Sequence, residues 1–249
     1  MNPLPHDNIK PFSGKESKKE QVGRMFDAIA GRYDFMNRFL SIGIDVGWRK
    51  KAIAVFGKDS LQHLLDVATG TGDMALLAAK RLRLQRITGI DISGKMLEIG
   101  RQKVAAQGLS DRIALVPGDS EKMNFADGTF DGVMVAFGVR NFENLEQGLR
   151  EILRVMKPGA RLVVLEFSKP KLPLVKQFYS LYMGSIAPQL AHLFRQDKKA
   201  YQYLNDSAKA FPDRERFVHI LNSTGYADAI FKPLSLGICC LYTARKPGA

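Results

Sequence analysis

The sequence predicts a doubly wound α/β domain built on a seven-strand sheet, five strands parallel and the last two an antiparallel hairpin. Three observations carry this expectation. Between residues 61 and 168, short apolar runs alternate with helical stretches, which implies βαβ units and a parallel sheet. The runs are continuously apolar rather than alternating, as strands covered on both faces are. After Gly225 come two further runs, YADAIFKPL and GICCLYTAR, joined only by Ser235, Leu236 and Gly237. So short a link favours an antiparallel pair.

The elements follow in chain order. Residues 1–17 are rich in Pro, Gly, Ser and Lys and read as a flexible leader without the apolar core of a signal peptide. Val22, Met25, Phe26, Ile29, Tyr33, Met36 and Leu40 fall at steps of three or four, a helical stripe. The stretch from Ser41 to Gly47 breaks it, and Trp48 opens a second helix to about Phe56. The five strands are read in LQHLLDVA, RITGIDIS, RIALVPGD, FDGVMVAFG and ARLVVLEFS. Helices are expected in MALLAAKRL, from about Lys95 to Ala106, and through Leu145, Leu149, Ile152 and Val155. Residues 173–205 read as helix with a break at Ala187 and Pro188, and FPDRERFVHILNSTG as another helix, stopped by Gly225.

Composition narrows the class. Hydrophobic residues make up 45% of 249, enough for a sizeable core, and no apolar run is long enough to span a membrane. Cys239 and Cys240 are adjacent in an apolar strand and read as small core residues, so a reduced, cytoplasmic setting is expected. Four scattered histidines give no metal-ligand spacing, and no metal is expected. The net charge of +12 divides as +4 over residues 1–60, +1 over 61–160 and +7 over 161–249. Basic flanks suit RNA, an anionic membrane surface or an acidic substrate, or are merely solvated.

Three motifs carry chemistry. DVATGTGD, from Asp66 to Asp73, places Gly70 and Gly72 in a strand-to-helix turn, where glycine permits a tight turn and close ligand approach. With Ala75 the run satisfies G-x-G-x-x-A, which does not by itself separate a nicotinamide dinucleotide from S-adenosyl-L-methionine, or either from a plain turn. Asp91 ends the second strand about 20 residues past the glycines, where a carboxylate accepts hydrogen bonds from ribose hydroxyls. Gly118, Asp119 and Ser120 close the third strand and offer a polar pair to an adenine edge. Coupled with FADGTFDGVMVAFG, this third element favours a methyltransferase over a dehydrogenase.

From about Val22 to Arg245 the chain resembles the quinone-biosynthesis C-methyltransferases, the demethylmenaquinone and 2-polyprenyl-6-methoxy-1,4-benzoquinol methylases. The matching stretches are FDAIAGRYDFMNRFLSIGID, LLDVATGTGD, FGVRN at 137–141, RVMKPGARLVVLEFSKP and YQYLNDSAKAFPD. The resemblance implies a class I S-adenosylmethionine-dependent methyltransferase fold over residues 18–249, with an N-terminal helical lid (18–56) and a helical insert (171–205). It puts Thr71, Asp91, Asp119 and Ser120 on cofactor positions, beside Gly70 and Gly72. Some members carry a cofactor-contacting serine where this chain has Ala136. The implied substrate is a polyprenylated quinol, demethylmenaquinol by the likeness of the carboxyl-terminal stretch, with a polyprenyl-methoxy-benzoquinol as the alternative.

The neutral quinone is a poor carbon nucleophile, so the reduced quinol is the expected acceptor. Arg140 follows the fourth strand at the ligand edge of the sheet and is expected to stabilise the quinolate oxygen, with Asn141 orienting it. A structural ion pair is the competing reading of Arg140. Tyr33 is expected to close over the ring, against a plain core role. His192 reads as a packed helix residue rather than a base, and no base is assigned. The apolar insert KLPLVKQFYSLYMGSIAPQLAHLF, flanked by Lys171, Lys176, Lys198 and Lys199, is expected to form a lipophilic mouth touching an anionic membrane. No nucleic-acid partner is expected, since no Asn-Pro-Pro-Tyr-like motif occurs. An RNA or other small-molecule methyltransferase, a non-catalytic cofactor-binding protein and a nicotinamide oxidoreductase are the alternatives.

Overall fold

The computed structural model describes residues 4–248 apart from 42, 60, 174, 176 and 178–197. Strands β1 (His63–Val67), β2 (Arg86–Asp91), β3 (Ile113–Pro117), β4 (Phe130–Ala136), β5 (Met156–Phe167), β6 (Ala227–Leu234) and β7 (Cys239–Arg245) form one sheet. Its order is β3-β2-β1-β4-β5-β7-β6. The first five strands pair in parallel, and β7 runs antiparallel to both β5 and β6, as the short link between them requires. The order reverses direction at β1, so the crevice between β1 and β4 is the topological switch point where open α/β sheets bind ligands.

Helices α1 (Lys18–Leu40), α2 (Ile44–Ala54), α3 (Asp73–Arg81), α4 (Gly94–Ala106), α5 (Leu145–Val155), α6 (Lys198–Ala210) and α7 (Glu215–Ser223) cover the sheet. Alternation along the buried strands splits the core into two layers. Val133, Val135, Leu162 and Val164 pack against Leu149 and Ile152 of α5 and Phe217 and Leu221 of α7. Met134, Val163 and Leu165 pack on the other face against Trp48 and Ile53 of α2, Met74 and Ala75 of α3 and Leu97 of α4. A third cluster joins Val22, Met25 and Ile29 of α1 to Met96 of α4 and to Ala200 and Tyr203 of α6. The first helical stripe is thus buried against other helices at the ligand edge, rather than against the sheet. Side-chain caps start α4 and α5: Ser93 Oγ accepts from Met96 N and Asn144 Oδ1 from Gln147 N.

Three expectations change. The second helix begins at Ile44, four residues before Trp48, because Gly43 takes φ +73° and reverses the chain directly into it. The fifth strand begins at Met156 and includes Lys157, Pro158 and Gly159 ahead of ARLVVLEF. The segment expected as a flexible leader is packed: Pro5–Asn8 form a 3-10 turn, and the buried His6 ring lies edge-on to Phe211 with centroids 6.0 Å apart. Lys18, at 0% exposure, donates from Nζ to His6 O at 2.9 Å and so ties that segment down. Of the insert, α6 is described, whereas residues 178–197, with His192, and Lys176 lie outside the described residues. Among the described residues, no helix is long and apolar enough to cross a membrane.

Candidate active site

At the carboxyl ends of β1 to β4 the turns surround a cleft of about 670 Å³, open mouth included. Its floor is the turn after β1, where Ala68 (φ +53°), Gly70 (φ +57°) and Gly72 (φ +78°) all take left-handed backbone. Nothing stands within 4 Å of where a Gly70 Cβ would be, so backbone itself faces the cleft. The turn after β4 is pressed against this floor: a Cβ on Gly138 would come 2.6 Å from Ala68 Cβ, so only glycine fits there.

Asp91 closes the end of β2 on the cleft wall. Its Oδ2 accepts from Gly70 N at 2.8 Å and its Oδ1 from Ser93 N at 2.9 Å. Burial pushes this carboxyl up, and the amide donors pull it back. Asp119 and Ser120 line the same wall after β3. Asp119 accepts from Lys19 Nζ at 2.5 Å and from Glu121 N at 2.9 Å, which bends the chain and fixes the carboxylate at the cleft rim. Behind the floor, Asp66 is 1% exposed, accepts from Thr69 Oγ1 at 2.6 Å and is pushed by burial up to about 7.

Four of the six residues expected to hold a cofactor, Gly70, Asp91, Asp119 and Ser120, thus line this one cleft. Thr71 and Gly72 do not reach it. Thr71 is 3% exposed, and its Oγ1 donates to Asp34 Oδ1 at 2.6 Å and accepts from Lys103 Nζ at 3.1 Å. Lys103 also reaches Asp73, so α1, α4 and the glycine turn meet in one charged knot. A Cβ on Gly100 of α4 would lie 2.6 Å from Leu115 Cδ1 and 3.1 Å from the Thr71 carbonyl carbon, which is how closely α4 packs on the turn.

The expectation of Arg140 as a cation facing substrate charge is corrected. Arg140 sits in the 3-10 turn Val139–Asn141, 3% exposed, and is absent from the cleft wall. Its Nη1 donates to Phe137 O at 2.6 Å and to Glu166 Oε1 at 2.7 Å, and its guanidinium lies over the Phe167 ring. The competing ion-pair reading therefore describes it. The physical reason is that Glu166, at the end of β5, is fully buried and needs a charge partner. Asn141, the next residue, does line the cleft and donates to Phe137 O from Nδ2 at 3.4 Å. Tyr33 lines it from α1, edge-on to Phe26 with centroids 5.7 Å apart, and burial pushes its phenol up. Ala136 also lines the cleft, with no hydroxyl to offer.

Several wall residues were not singled out from the sequence. Lys19 was hidden in a charged run, and Phe26 in the stripe read simply as core. Behind the wall, the buried Glu166 sits inside VLEFSKP, where a carboxylate amid an apolar strand is the available signal. The wall accommodates an adenosine-bearing sulfonium: a strand-end carboxylate for ribose hydroxyls, a polar corner at Asp119 and Ser120, a side-chain-free floor, and the apolar Ile90, Ile92 and Met96.

Comparison with known proteins agrees with this geometry. The model of the ubiE/COQ5 methyltransferase family matches residues 14–246. A demethylmenaquinone methyltransferase of Bacteroides fragilis is 44% identical over 242 residues, covering 97% of this chain and 99% of that one. A ubiquinone/menaquinone biosynthesis C-methyltransferase of Geotalea daltonii is 44% identical over 230 residues, covering 92% and 97%. Among solved structures, an S-adenosylmethionine-dependent methyltransferase of Thermotoga maritima superposes with a TM-score of 0.64 at 16% identity, covering 90% of this chain and 99% of that one. That likeness shows the fold, a class I methyltransferase sheet. With the family model and near full-length relatives in agreement, the chain belongs to the ubiE/COQ5 methyltransferase family.

Proposed function

We propose that this methyltransferase C-methylates a polyprenylated quinol, demethylmenaquinol in menaquinone biosynthesis, with S-adenosyl-L-methionine as its cofactor. The observation that carries the reading is a cleft lined both by Asp91 and Asp119 and by the apolar α1 residues Val22, Phe26 and Tyr33, in a chain matched almost end to end by demethylmenaquinone methyltransferases. A nucleotide end and a flat-ring end share one space.

The bound cofactor supplies an electrophilic methyl on a sulfonium. The chain's task is to make the ring carbon nucleophilic and to keep water out. Loss of a phenolic proton pushes electron density onto the ring carbon; free phenols titrate near ~10, so the site must favour the deprotonated form. A sulfonium cofactor held against Asp91 and Asp119 would supply the methyl group to the ring carbon, and the ring proton so displaced would pass to solvent as the cleft reopens. Asn141 faces the ring and orients it. The Arg140–Glu166 pair fixes the turn that carries Asn141, so Arg140 acts through position rather than through contact. Phe26 and Tyr33 cover the ring and exclude water, and holding ring and sulfonium in line supplies much of the acceleration.

We also infer cytoplasmic placement with peripheral contact to an anionic membrane. The substrate's tail lives in a bilayer, residues 161–249 carry +7, and Phe35 and Ile44 are exposed beside the lid helices. The benzoquinol of ubiquinone biosynthesis is the second substrate reading, supported by relatives named for both quinones. The deciding experiment supplies labelled S-adenosylmethionine with reduced demethylnaphthoquinol or reduced methoxy-benzoquinol and reads product mass. Methylated naphthoquinol is expected; labelling of neither ring overturns the reading. Sedimentation with anionic vesicles that weakens as salt rises is the expected sign of membrane contact.

A further inference from the structure

One face of α1 lines the cleft: Lys19, Val22, Phe26 and Tyr33 follow one another at steps of three, four and seven residues. The last three are apolar or aromatic. Lys19 heads the stripe with a charge that helix packing does not call for. Its Nζ lies 2.5 Å from Asp119 Oδ2 and 3.5 Å from Glu121 Oε2, and both of those side chains line the same cleft. Backbone groups hold the frame around it. Glu143 Oε1 accepts from Lys18 N at 2.7 Å, which seats the first turn of α1 on the cleft rim. Glu121 Oε1 accepts from Glu143 N at 2.7 Å and from Asn144 N at 3.1 Å, and Asp119 Oδ1 accepts from Glu121 N at 2.9 Å. A donor and an acceptor thus stand side by side in one corner of the cleft. Each has capacity left, since an ammonium carries three protons and a carboxylate about four lone-pair sites. Lys19 and Asp119 are each 30% exposed, and an ion pair of that exposure contributes little to fold stability. What the pair offers is its place in the cleft.

Adenine has the complementary pattern. Its 6-amino group is a donor, and the ring nitrogens on either side of that group, N1 and N7, are both acceptors. A carboxylate that takes the amine, with an ammonium beside it, therefore meets a ring acceptor whichever edge of the base faces the corner. We propose that Lys19 is a cofactor-recognition residue, its ammonium donating to a ring nitrogen of the adenine while Asp119 accepts the 6-amino group. This rests on reading Asp119 and Ser120 as the adenine corner, and it adds the donor that completes that corner. Burial works against the Lys19 charge, and the Asp119 and Glu121 carboxylates more than offset it, so the ammonium stays a charged donor. The role also accounts for the order of the stripe on α1: the charge at its start meets the base, and the apolar residues after it meet the flat ring of the acceptor.

The test uses the full-length protein and its Lys19→Met and Asp119→Asn variants. Calorimetry measures the affinity of each for S-adenosylhomocysteine and for two analogues in which adenine N1 or N7 is replaced by CH. Thermal unfolding runs alongside and should show Lys19→Met as stable as wild type. Lys19→Met is expected to weaken S-adenosylhomocysteine about fivefold, the loss of one hydrogen bond at a partly exposed site. That penalty should vanish for one of the two analogues, the one lacking the nitrogen that Lys19 meets, and persist for the other. An affinity within twofold of wild type overturns the assignment. So does an equal penalty for all three ligands, which would mean that Lys19 acts through the seating of α1 and not on the base. If wild type does not bind S-adenosylhomocysteine, or Asp119→Asn binds it as wild type does, the adenine corner falls and Lys19 with it. If Asp119→Asn weakens binding and Lys19→Met does not, only the Lys19 assignment falls.

Discussion

Arg140 Nη1 stands 2.7 Å from Glu166 Oε1, and the two side chains are 3% and 0% exposed. The pair joins the turn after β4 to the end of β5, and Lys18 Nζ reaches the carbonyl of the same Arg140 at 3.3 Å. One buried charge pair therefore sets the backbone from which Asn141 faces the cleft. Removing one partner strands the other in a dry place. Glu166→Leu is expected to destabilise the protein by about 3–5 kcal/mol, and a double Arg140→Met, Glu166→Leu variant to regain much of that while turnover stays low. Urea denaturation of the three proteins checks this. A single variant within about 1 kcal/mol of wild type would show the pair to be dispensable to the fold.

Asp91→Asn keeps the side chain's shape but removes its charge and one acceptor. Asp91 already accepts the Gly70 and Ser93 amides, which leaves lone pairs for the ribose of the proposed cofactor site. Losing charge-assisted hydrogen bonds of this kind is expected to weaken cofactor binding by about 1.5–3 kcal/mol. Calorimetry with S-adenosylmethionine or its demethylated product measures it, and equal affinity would remove Asp91 from the ribose site.

Lys103→Met should loosen the lid. The ammonium reaches Asp34 of α1 at 2.9 Å, Thr71 at 3.1 Å and Asp73, while Arg38 of α1 reaches Asp73 at 3.2 Å. These groups are partly exposed, so the change in global stability is expected to be only about 1 kcal/mol. The larger effect is local: faster amide exchange in the second half of α1 and faster cofactor release in stopped-flow. Unchanged exchange in α1 would mean that apolar packing alone holds the lid.

Acid should release the amino-terminal segment first. Burial, with Lys18 adding to it, holds His6 down to about 3 from its usual 6.5. Between those values the folded state binds fewer protons than the unfolded one, so the packing of this segment weakens as pH falls through that window. His6→Phe, which can still pack on Phe211, is expected to remove most of this acid dependence when pH 7 and pH 4 are compared by hydrogen exchange. Asp66 acts in the opposite sense. Its carboxyl is raised to about 7, so its contribution is lost as pH rises from about 4 through 7, and Asp66→Asn should flatten that limb. An unaltered pH profile in either variant would refute its assignment.

The sequence by itself determined the sheet and which strand-end residues (Gly70, Asp91, Asp119 and Ser120) line the cleft, because both are written in local signals. Continuously apolar strands, short turns and periodic helices give β1 to β7 their order of appearance, and the distance from Gly70 to Asp91 is set by one βαβ unit. What it could not determine is which charges meet. Arg140 and Glu166 lie 26 residues apart on separate elements, and only the pairing of β4 with β5 brings them together and turns a cation expected to face substrate into a buried partner. Thr71 left the expected cofactor wall for a similar reason: Asp34 and Lys103 arrive from two other helices and claim its hydroxyl. His6 was read as part of a loose leader, since its burial depends on Phe211 and Lys18, contacts that no local pattern announces. Backbone preference and hydrophobic periodicity act over a few residues and can be read along the chain. Desolvation acts on whatever the fold brings side by side, so charge pairing and unpartnered polar atoms exist only once the tertiary structure has formed.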